Sequence, residues 1–256
     1  MRKVFSISGL LIKEIFRKKD FYVALILCAV LLFYASRLEF YNVANIYKYL
    51  IEIGLAISFT FSAILTVALA ARQYPDEVQN RTGSVLLAKP VRRSQFVLGK
   101  FLGSLLAGTA CFLVFYLVFI FFALSKTAML SPILLFETFY LFFLNLLVLT
   151  AMTSGLSYTL TVSANVLISL IIYFLINTYG FSLKEAAAGL PLVSRWLTVV
   201  IYYAMPHFEC FDLRDRFIHG WNTVPLGLIL FLTAYALLYA GFFLFIGWLK
   251  FRKQPL

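Results

Sequence analysis

Long runs without a charged residue are the feature that most constrains how this chain folds. They cover residues 21–36, 53–71, 101–125, 138–183 and 220–249. A helix needs about 20 apolar residues to cross the hydrocarbon core, and about 17 at the short limit. The fourth run is long enough for two crossings, and its Ser, Thr and Asn residues between Ser157 and Asn165 favour a break there. The sequence therefore predicts an all-α polytopic membrane protein with six transmembrane helices.

Composition places the chain in the same class. Of its 256 residues, 62% are hydrophobic and 13% are charged, whereas a soluble domain has about a quarter charged residues. The mean hydropathy is +0.93. We expect one membrane domain over residues 1–256, without a soluble catalytic domain. The three cysteines form no CxxC pair, so the sequence predicts neither a disulfide framework nor a metal site.

The net charge of +11 is spread unevenly along the chain. Basic residues are concentrated before residue 20, between residues 72 and 100, and after residue 249. Cytoplasmic segments of membrane proteins carry such an excess of Lys and Arg. We therefore expect a multi-pass protein of the cytoplasmic (inner) membrane with both termini in the cytoplasm. Its basic residues then face anionic membrane lipids, and no nucleic-acid partner is expected.

Residues 3–18 have the spacing of a helix that lies along the membrane. Val4, Ile7 and Leu11 share one side, and Lys13 points away from it. An apolar stripe beside a basic face is typical of helices in the interface. We predict an N-terminal interfacial (elbow) helix; the alternative is a basic flank to the first crossing.

The segment between the second and third crossings, residues 72–96, is rich in charge and expected in the cytoplasm. Pro75, followed by two acidic residues, suits the first turn of a helix. Glu77 and Arg81 form an i, i+4 pair of favourable polarity. The pattern predicts a cytoplasmic helix over about residues 75–88.

Residues 180–223 precede the last crossing and are expected to form an irregular, re-entrant extracytoplasmic region. The apolar piece Trp196 to Met205 is too short to span the membrane but long enough to dip into the outer leaflet. A polar cluster follows: His207, Glu209, Cys210, Asp212, Asp215 and His219. No spacing within it matches a zinc or calcium pattern, and two arginines alternate with the acids. Structural pairing is therefore favoured over a metal or catalytic site.

Two motifs resemble those of ATP-binding-cassette (ABC) permeases of the type-2 superfamily. The first has an acid, a Thr, an LLAKPV run and a GK pair in the family's order: Glu77-x4-Thr82, Leu86 to Val91, and Gly99-Lys100. The second resembles the YxxPxxxxFDL segment of permeases related to copper-maturation and multidrug or bacteriocin-resistance exporters: Tyr202 to Leu213. Six helices, an interfacial helix and a chain of this length are similar to that group too.

The resemblance implies that the loop helix is a coupling helix seated in a cleft of a separate ABC ATPase, present in two copies. Carried over by position, the coupling residues are Glu77, Arg81, Thr82, Leu86 and Leu87. The sequence itself supports one part of this inference, namely that ATP binds to another chain. Gly99-Lys100 is followed by Phe101 and lacks the upstream glycine of a GxxxxGK(S/T) loop. ATP and Mg²⁺ are therefore expected on the partner chain, with no cofactor and no enzyme activity in this one.

Such a permease works as a pair, with a second copy of itself or a related permease, and needs a polar path between the two chains. We expect the second and fifth helices among its walls. The candidates are Ser58, Thr60, Ser62, Thr66, Asn165, Ser169 and Asn177, with Glu52 and Glu137 near the external helix ends. An equally favoured alternative for the seven polar side chains is that they pack helices together within one chain. For the two acids the alternative is that each carboxylate reaches the membrane interface, or pairs with Lys48 or Lys126.

The function expected from these features is that of an ABC exporter's transmembrane subunit. Two alternatives stay open. One is an ATP-driven mechanical relay to an extracytoplasmic partner, without solute transport. The other is a membrane-embedded enzyme with its site in residues 180–223. Lipid, peptide, antibiotic, ion and polysaccharide substrates all fit the sequence.

Overall fold

Helices make up nearly all of the regular structure. The computed structural model describes residues 19–37, 46–79, 93–126, 131–188, 191, 195–196, 202, 205–219 and 221–253. Its helices are α1 (Lys19–Arg37), α2 (Ile46–Gln79), α3 (Arg93–Lys126), α4 (Pro132–Leu156), α5 (Val162–Ala188), α6 (Arg214–His219) and α7 (Leu226–Lys253), with a 3-10 turn at Phe208–Phe211. The described residues contain no strand, and the all-α prediction is confirmed.

Among the described residues, five helices are long and apolar enough to cross a membrane, namely α2, α3, α4, α5 and α7. The remaining predicted crossing, the first along the chain, corresponds to α1. Its apolar part, Tyr22–Tyr34, is shorter than these five spans. That shortness follows from the sequence, because Asp20 and Arg37 bound the first uncharged run. The predicted break in the fourth run is confirmed by a turn at residues 157–161 between α4 and α5. The chain is a multi-pass membrane protein.

Two predicted boundaries are wrong. No helix begins at Pro75, because α2 runs through it and ends at Gln79. Residues 180–188, expected to be irregular, continue α5. Both extensions have one physical reason: a helix satisfies its own backbone hydrogen bonds and can continue from the membrane into water. The predicted interfacial helix 3–18 and loop residues 80–92 lie outside the described residues.

Helix α2 lies at the centre of the bundle. It packs against α1, α3, α4, α5 and the short helix α6. Its 34 residues rise about 1.5 Å each, so the helix is about 51 Å long. Because the hydrocarbon core is about 30 Å thick, α2 projects beyond it. One helix thus connects the end of the described segment at Gln79 with the region around α6.

Aromatic rings fill the space between α2, α3 and α4. The rings of Phe59 and Phe142 stack with centroids 4.1 Å apart, and that of Phe112 lies 4.3 Å from Phe142. Within lipid, apolar side chains gain little by leaving their surroundings, so close packing supplies the attraction between helices. Interlocked rings make that packing specific.

Glycines allow two close helix contacts. Gly108 of α3 faces Thr66 of α2, and a Cβ at position 108 would collide with the threonine side chain. A Cβ at Gly155 of α4 would lie 2.8 Å from the carbonyl oxygen of Phe243 in α7. One at Gly247 would lie 3.2 Å from the Cα of Gly155. The α2–α3 contact and the α4–α7 contact thus both depend on glycine, which lets the neighbouring helices approach closely.

The two ends of the bundle differ in chemistry. Phe96, Val97, Tyr158 and Phe251 form a separate buried cluster, here called the aromatic end. The rings of Phe96 and Tyr158 each lie 5.5 Å from that of Phe251. The opposite end, here called the acidic end, contains the 3-10 turn, α6 and the starts of α4 and α7. Hydrogen bonds and charged side chains hold that end together.

Helices α5 and α7 present broad apolar surfaces. Only 17% of the most apolar stretch of α7 and 22% of that of α5 is buried, against 67% for α4. Side chains such as Leu238, which is 74% exposed, point away from the bundle. These faces are available to lipid or to another membrane chain.

Candidate functional site

Glu77 lies in the last turn of the central helix. It is two residues from the end of α2 at Gln79. The other predicted coupling residues, Arg81, Thr82, Leu86 and Leu87, lie outside the described residues. Because Glu77 is continuous with α2, a force applied at position 77 acts on the central helix directly.

Pro75 interrupts the hydrogen bonding of α2 just before Glu77. A proline has no N–H, so the carbonyl of Ala71, four residues earlier, loses its usual donor. The side chain of Gln73 is half-buried, and its Oε1 has no hydrogen-bond partner among the described residues. The helix therefore lacks one backbone hydrogen bond in the turn before Glu77.

Three of the four polar candidates on α2 are buried within this single chain. Ser58, Ser62 and Thr66 are fully buried. Their hydroxyls donate to the carbonyl oxygens four residues earlier, at 2.9, 2.5 and 2.7 Å. Thr60 is half-buried. This arrangement favours packing within one chain over a polar path between two chains.

The polar candidates on α5 fall into two places. Asn165 and Ser169 are fully buried. Asn165 Nδ2 donates to the carbonyl oxygen of Thr153 at 3.0 Å, and Ser169 Oγ donates to Asn165 Oδ1 at 3.2 Å. These bonds tie α5 to α4 across the intervening turn. Asn177 lies near the far end of α5 and lines a cavity at the acidic end.

The two acidic candidates differ in their surroundings. Glu137, in the second turn of α4, is 8% exposed, and its Oε2 accepts the backbone N–H of Val224 at 3.1 Å. Its carboxylate thus fixes the segment that leads into α7. Glu52 of α2 is exposed and lines the same cavity as Asn177. Of the two, only Glu52 borders the cavity.

Among its described side chains, the polar cluster before α7 contains one close ion pair. Arg214 Nε donates to Asp212 Oδ2 at 2.7 Å, and Asp212 Oδ1 accepts the backbone N–H of Arg214 at 2.9 Å. The same carboxylate therefore pairs with the guanidinium and caps the start of α6. This is the structural pairing that the sequence favours for the cluster.

Glu209 lies in a different environment within the same cluster. The Tyr202 hydroxyl donates to Glu209 Oε1 at 3.4 Å, and His207 Nδ1 lies 3.6 Å from that oxygen. Among the described residues, no three His, Cys, Asp or Glu side chains are arranged to hold a metal ion. Glu209 is thus a buried carboxylate with polar neighbours.

Burial alters the titration of these groups. It raises the pKa of the Glu209 carboxyl, while the hydrogen bond from Tyr202 acts in the opposite direction. It also lowers the pKa of the His207 imidazole. The pKa of the exposed Cys210 thiol is raised by desolvation and then by the nearby Glu209 charge. A cation placed beside Glu209 would favour its ionised form.

Asn145 and two tyrosines hold the acidic end, and the role of the tyrosines was not found from the sequence. Asn145 Nδ2 of α4 donates to the carbonyl oxygen of Phe208 at 3.3 Å. On α7, the Tyr235 hydroxyl accepts the backbone N–H of His207 at 2.9 Å, and the Tyr239 hydroxyl donates to the Met205 carbonyl at 3.5 Å. Two tyrosines four residues apart on an apolar helix were the available signal, since a buried Tyr hydroxyl needs a partner.

A cavity of about 410 Å³ opens between these elements at the acidic end. Its wall combines the 3-10 turn and α6 with Glu52 of α2, Asn177 of α5 and Leu228 of α7. Residues far apart in the sequence therefore meet around one space. A cavity lined by both apolar and charged groups is typical of a small-molecule site.

Comparison with known protein families identifies the family to which the chain belongs. The profile described as ABC-2 family transporter protein matches residues 16–245. This match runs from before α1 to residue 245 within α7 and so includes every membrane-spanning helix in whole or in large part. A search of curated proteins finds no match. With its bundle of apolar helices and a family match over most of its length, the chain belongs to the ABC-2 family of transporter membrane proteins.

Proposed function

We propose that this chain is the transmembrane subunit of an ABC transporter that couples ATP hydrolysis on a separate ATPase to export across the cytoplasmic membrane. The family supports the transporter subunit itself. The observation that carries the coupling is the course of α2, which ends two residues after Glu77 and packs near its other end against α6.

Helix α2 provides a direct mechanical connection between the two ends. A partner ATPase that moves position 77 would shift a helix packed against α1, α3, α4 and α5. At the far end, Glu52 of α2 borders the cavity. Motion of α2 would therefore change the shape of the cavity.

Charge supports a cytoplasmic position for the aromatic end. Lys100 and Arg252 lie at this end, within 5.9 Å of the Phe96 ring centroid and 5.8 Å of the Trp248 ring centroid, respectively. Basic residues are concentrated on the cytoplasmic side of membrane proteins. The acidic end would then face the outside, and both termini the cytoplasm.

The exposed faces of α5 and α7 support assembly with a second membrane chain. We propose a homodimer, or a heterodimer with a related permease, with one ATPase beneath each chain. The small buried share of both spans leaves surface for that contact as well as for lipid. The buried Ser58 and Ser62 would then not line the dimer interface.

Site-specific photo-cross-linking tests the ATPase contact. A benzoylphenylalanine at position 77, expressed in native membranes, should cross-link to an ABC ATPase that is identified by mass spectrometry. The matched control is position 226 at the acidic end, where Leu226 is 78% exposed; it should capture no ATPase. Capture of only lipid or of this chain from position 77 would contradict the coupling role.

A charge reversal tests coupling itself. Glu77→Arg should abolish stimulation of the ATPase by the permease, with about a tenfold loss or more expected for a broken charge-assisted contact. Membrane insertion should be unchanged, because position 77 is at a helix end. Glu52→Arg, a charge reversal near the opposite end of α2, is the control and should leave stimulation intact. Full stimulation in Glu77→Arg would contradict the proposal.

The contact between α2 and α6 also fits a second function, a relay that passes ATP-driven motion to an extracytoplasmic partner. The two differ in one measurement. The permease and its ATPase, reconstituted in vesicles, should move a solute across the bilayer if the chain is an exporter. ATP hydrolysis that alters α6 accessibility but moves no solute would favour the relay.

A further inference from the structure

The cavity at the acidic end carries an excess of negative charge. Four acids line it, together with two arginines: Glu52, Glu209, Asp212, Asp215, Arg214 and Arg216. This local excess of acid stands in a chain whose net charge is +11.

Both arginines are engaged by the protein itself. Arg214 is paired with Asp212, at 2.5 Å for its closest nitrogen. Arg216 Nη1 donates to the carbonyl oxygen of Asn222 at 2.7 Å. Among the described residues, Glu52 and Asp215 form no ion pair with a Lys or Arg, and the cationic group nearest Glu209 is the His207 imidazole at 3.6 Å. Four acids against two engaged arginines favour a positively charged ligand.

Glu209 adds a second and independent observation. The residue is 7% exposed and lines the cavity. Its Oε2 is buried and has no hydrogen-bond partner among the described residues. A buried carboxylate oxygen without a donor is costly, so Glu209 favours a ligand that brings an N–H group.

The remaining wall suits a carbon skeleton. Leu141, Leu228 and Leu232 line the cavity, and Trp221 also borders it. Aromatic rings attract organic cations through their faces. The volume of about 410 Å³ falls in the range of about 300–1,000 Å³ that holds small organic molecules.

We propose that this cavity is a binding site for a small organic amine in its protonated form, with the ammonium group against Glu209 and the hydrocarbon part against the leucines. A divalent metal fits less well. Calcium needs about six to eight oxygen ligands, and the described acids do not converge to hold one.

The site is independent of the proposed transport function, because binding needs neither the ATPase nor a membrane potential. It is therefore measured on the purified full-length chain in detergent. The probe is 2-phenylethylammonium; the neutral 2-phenylethanol and the anionic 3-phenylpropionate have the same ring on a similar chain. Calorimetry gives the dissociation constants. We expect saturable binding of the ammonium, and at least tenfold weaker binding of the other two.

Two buried glutamates provide a matched pair of variants. Glu209→Gln removes the charge at the cavity and should weaken ammonium binding about tenfold or more. Glu137→Gln removes the charge of a glutamate that does not line the cavity, and its amide oxygen can still accept the Val224 N–H. That control should keep its affinity within about twofold, the scale of a neutral exchange outside the site.

Tryptophan fluorescence locates the bound probe. The chain has three tryptophans, so replacing Trp196 and Trp248 with Phe leaves Trp221 as the sole reporter. Saturating ammonium should change its emission with the same dissociation constant as calorimetry, and the Glu209→Gln change should weaken both signals together. A calorimetric signal without any response of Trp221 would place the amine elsewhere and overturn the proposal.

Three other outcomes would also overturn it. Equal binding of the ammonium and the alcohol would indicate only partition into an apolar space. Equal losses in Glu209→Gln and Glu137→Gln would indicate disturbed local structure. Saturable Ca²⁺ binding that depends on Glu209, without amine binding, would assign the cavity to a metal ion.

Discussion

The aromatic end and the acidic end of the bundle are closed by opposite means. At the aromatic end, Phe96, Tyr158 and Phe251 meet ring to ring, and glycines bring α4 and α7 into backbone contact. At the acidic end, single hydrogen bonds such as that from Val224 to Glu137 join the loops to the helices around an open cavity. Dense apolar packing resists change, whereas a few polar contacts can exchange partners. The comparison suggests one end that holds the helices together and another that responds.

The largest effect is expected from filling the glycine contact at the aromatic end. Gly155→Leu forces a side chain against the backbone of Phe243 and should lower stability by about 3 kcal/mol, the upper range for overpacking. Thermal unfolding in detergent measures this loss. Gly241→Leu, on α7 where nothing lies within 4 Å of the added Cβ, is the control and should unfold like the wild type. Equal stability of the two variants would contradict the conclusion that close packing at the aromatic end holds the helices together.

A smaller effect is expected from removing one ring at the same end. Phe251→Ala deletes the contacts to Phe96 and Tyr158 and should cost about 1–2 kcal/mol, since in lipid mainly packing is lost. Phe245→Ala, on the same helix and 56% exposed, should cost little in the same assay. If the two variants lost equal stability, the aromatic end would not be a special contact.

The smallest effect concerns pH at the acidic end. Because burial raises the pKa of Glu209, its carboxyl gains a proton at a higher pH than an ordinary glutamate. Protonation removes the charge that holds the amine, and His207, 3.6 Å away, gains a positive charge on further acidification. Both changes weaken binding as pH falls. The affinity for 2-phenylethylammonium, measured by calorimetry, should therefore fall as the pH is lowered from about 7.5 to about 5.5.

The groups around Glu209 decide how that titration is assigned. Its charged or titratable neighbours are Tyr202, His207 and Cys210 beside it, and Glu52, Asp212, Arg214, Asp215 and Arg216 around the cavity. Glu209→Gln should flatten the pH dependence, while Glu137→Gln should retain it. A pH profile unchanged in Glu209→Gln would assign the titration to one of these neighbours.

Much of the bundle could be predicted because the membrane imposes a simple rule. Helix α4 begins at Pro132, since proline is favoured in a first helical turn, and ends at Leu156, next to the break expected between Ser157 and Asn165. The extension of α5 was missed although residues 183–188 are good helix formers, because their charge suggested a loop. Pro75 suggested a helix start because proline favours a first turn. In this structure it lies inside α2 instead, and the helix loses the hydrogen bond to the Ala71 carbonyl.

The cavity could not be predicted from local patterns. It depends on Glu52, Asn177 and Glu209, which lie on three elements far apart in the chain. Asn145 and Phe208, whose bond fixes the 3-10 turn, are 63 residues apart. Periodicity reports which face of a helix is apolar, but it does not report which loop folds back onto it.

Because α2 is continuous from Glu52 to Pro75, it can act as a lever that pivots at the proline. From Pro75 to Glu52 the helix rises about 1.5 Å per residue, about 35 Å in all. Pivoting about Pro75 by about 5° would therefore carry Glu52 through about 3 Å, the full length of a hydrogen bond. A small rotation at one membrane surface is enough to make or break a single contact at the other.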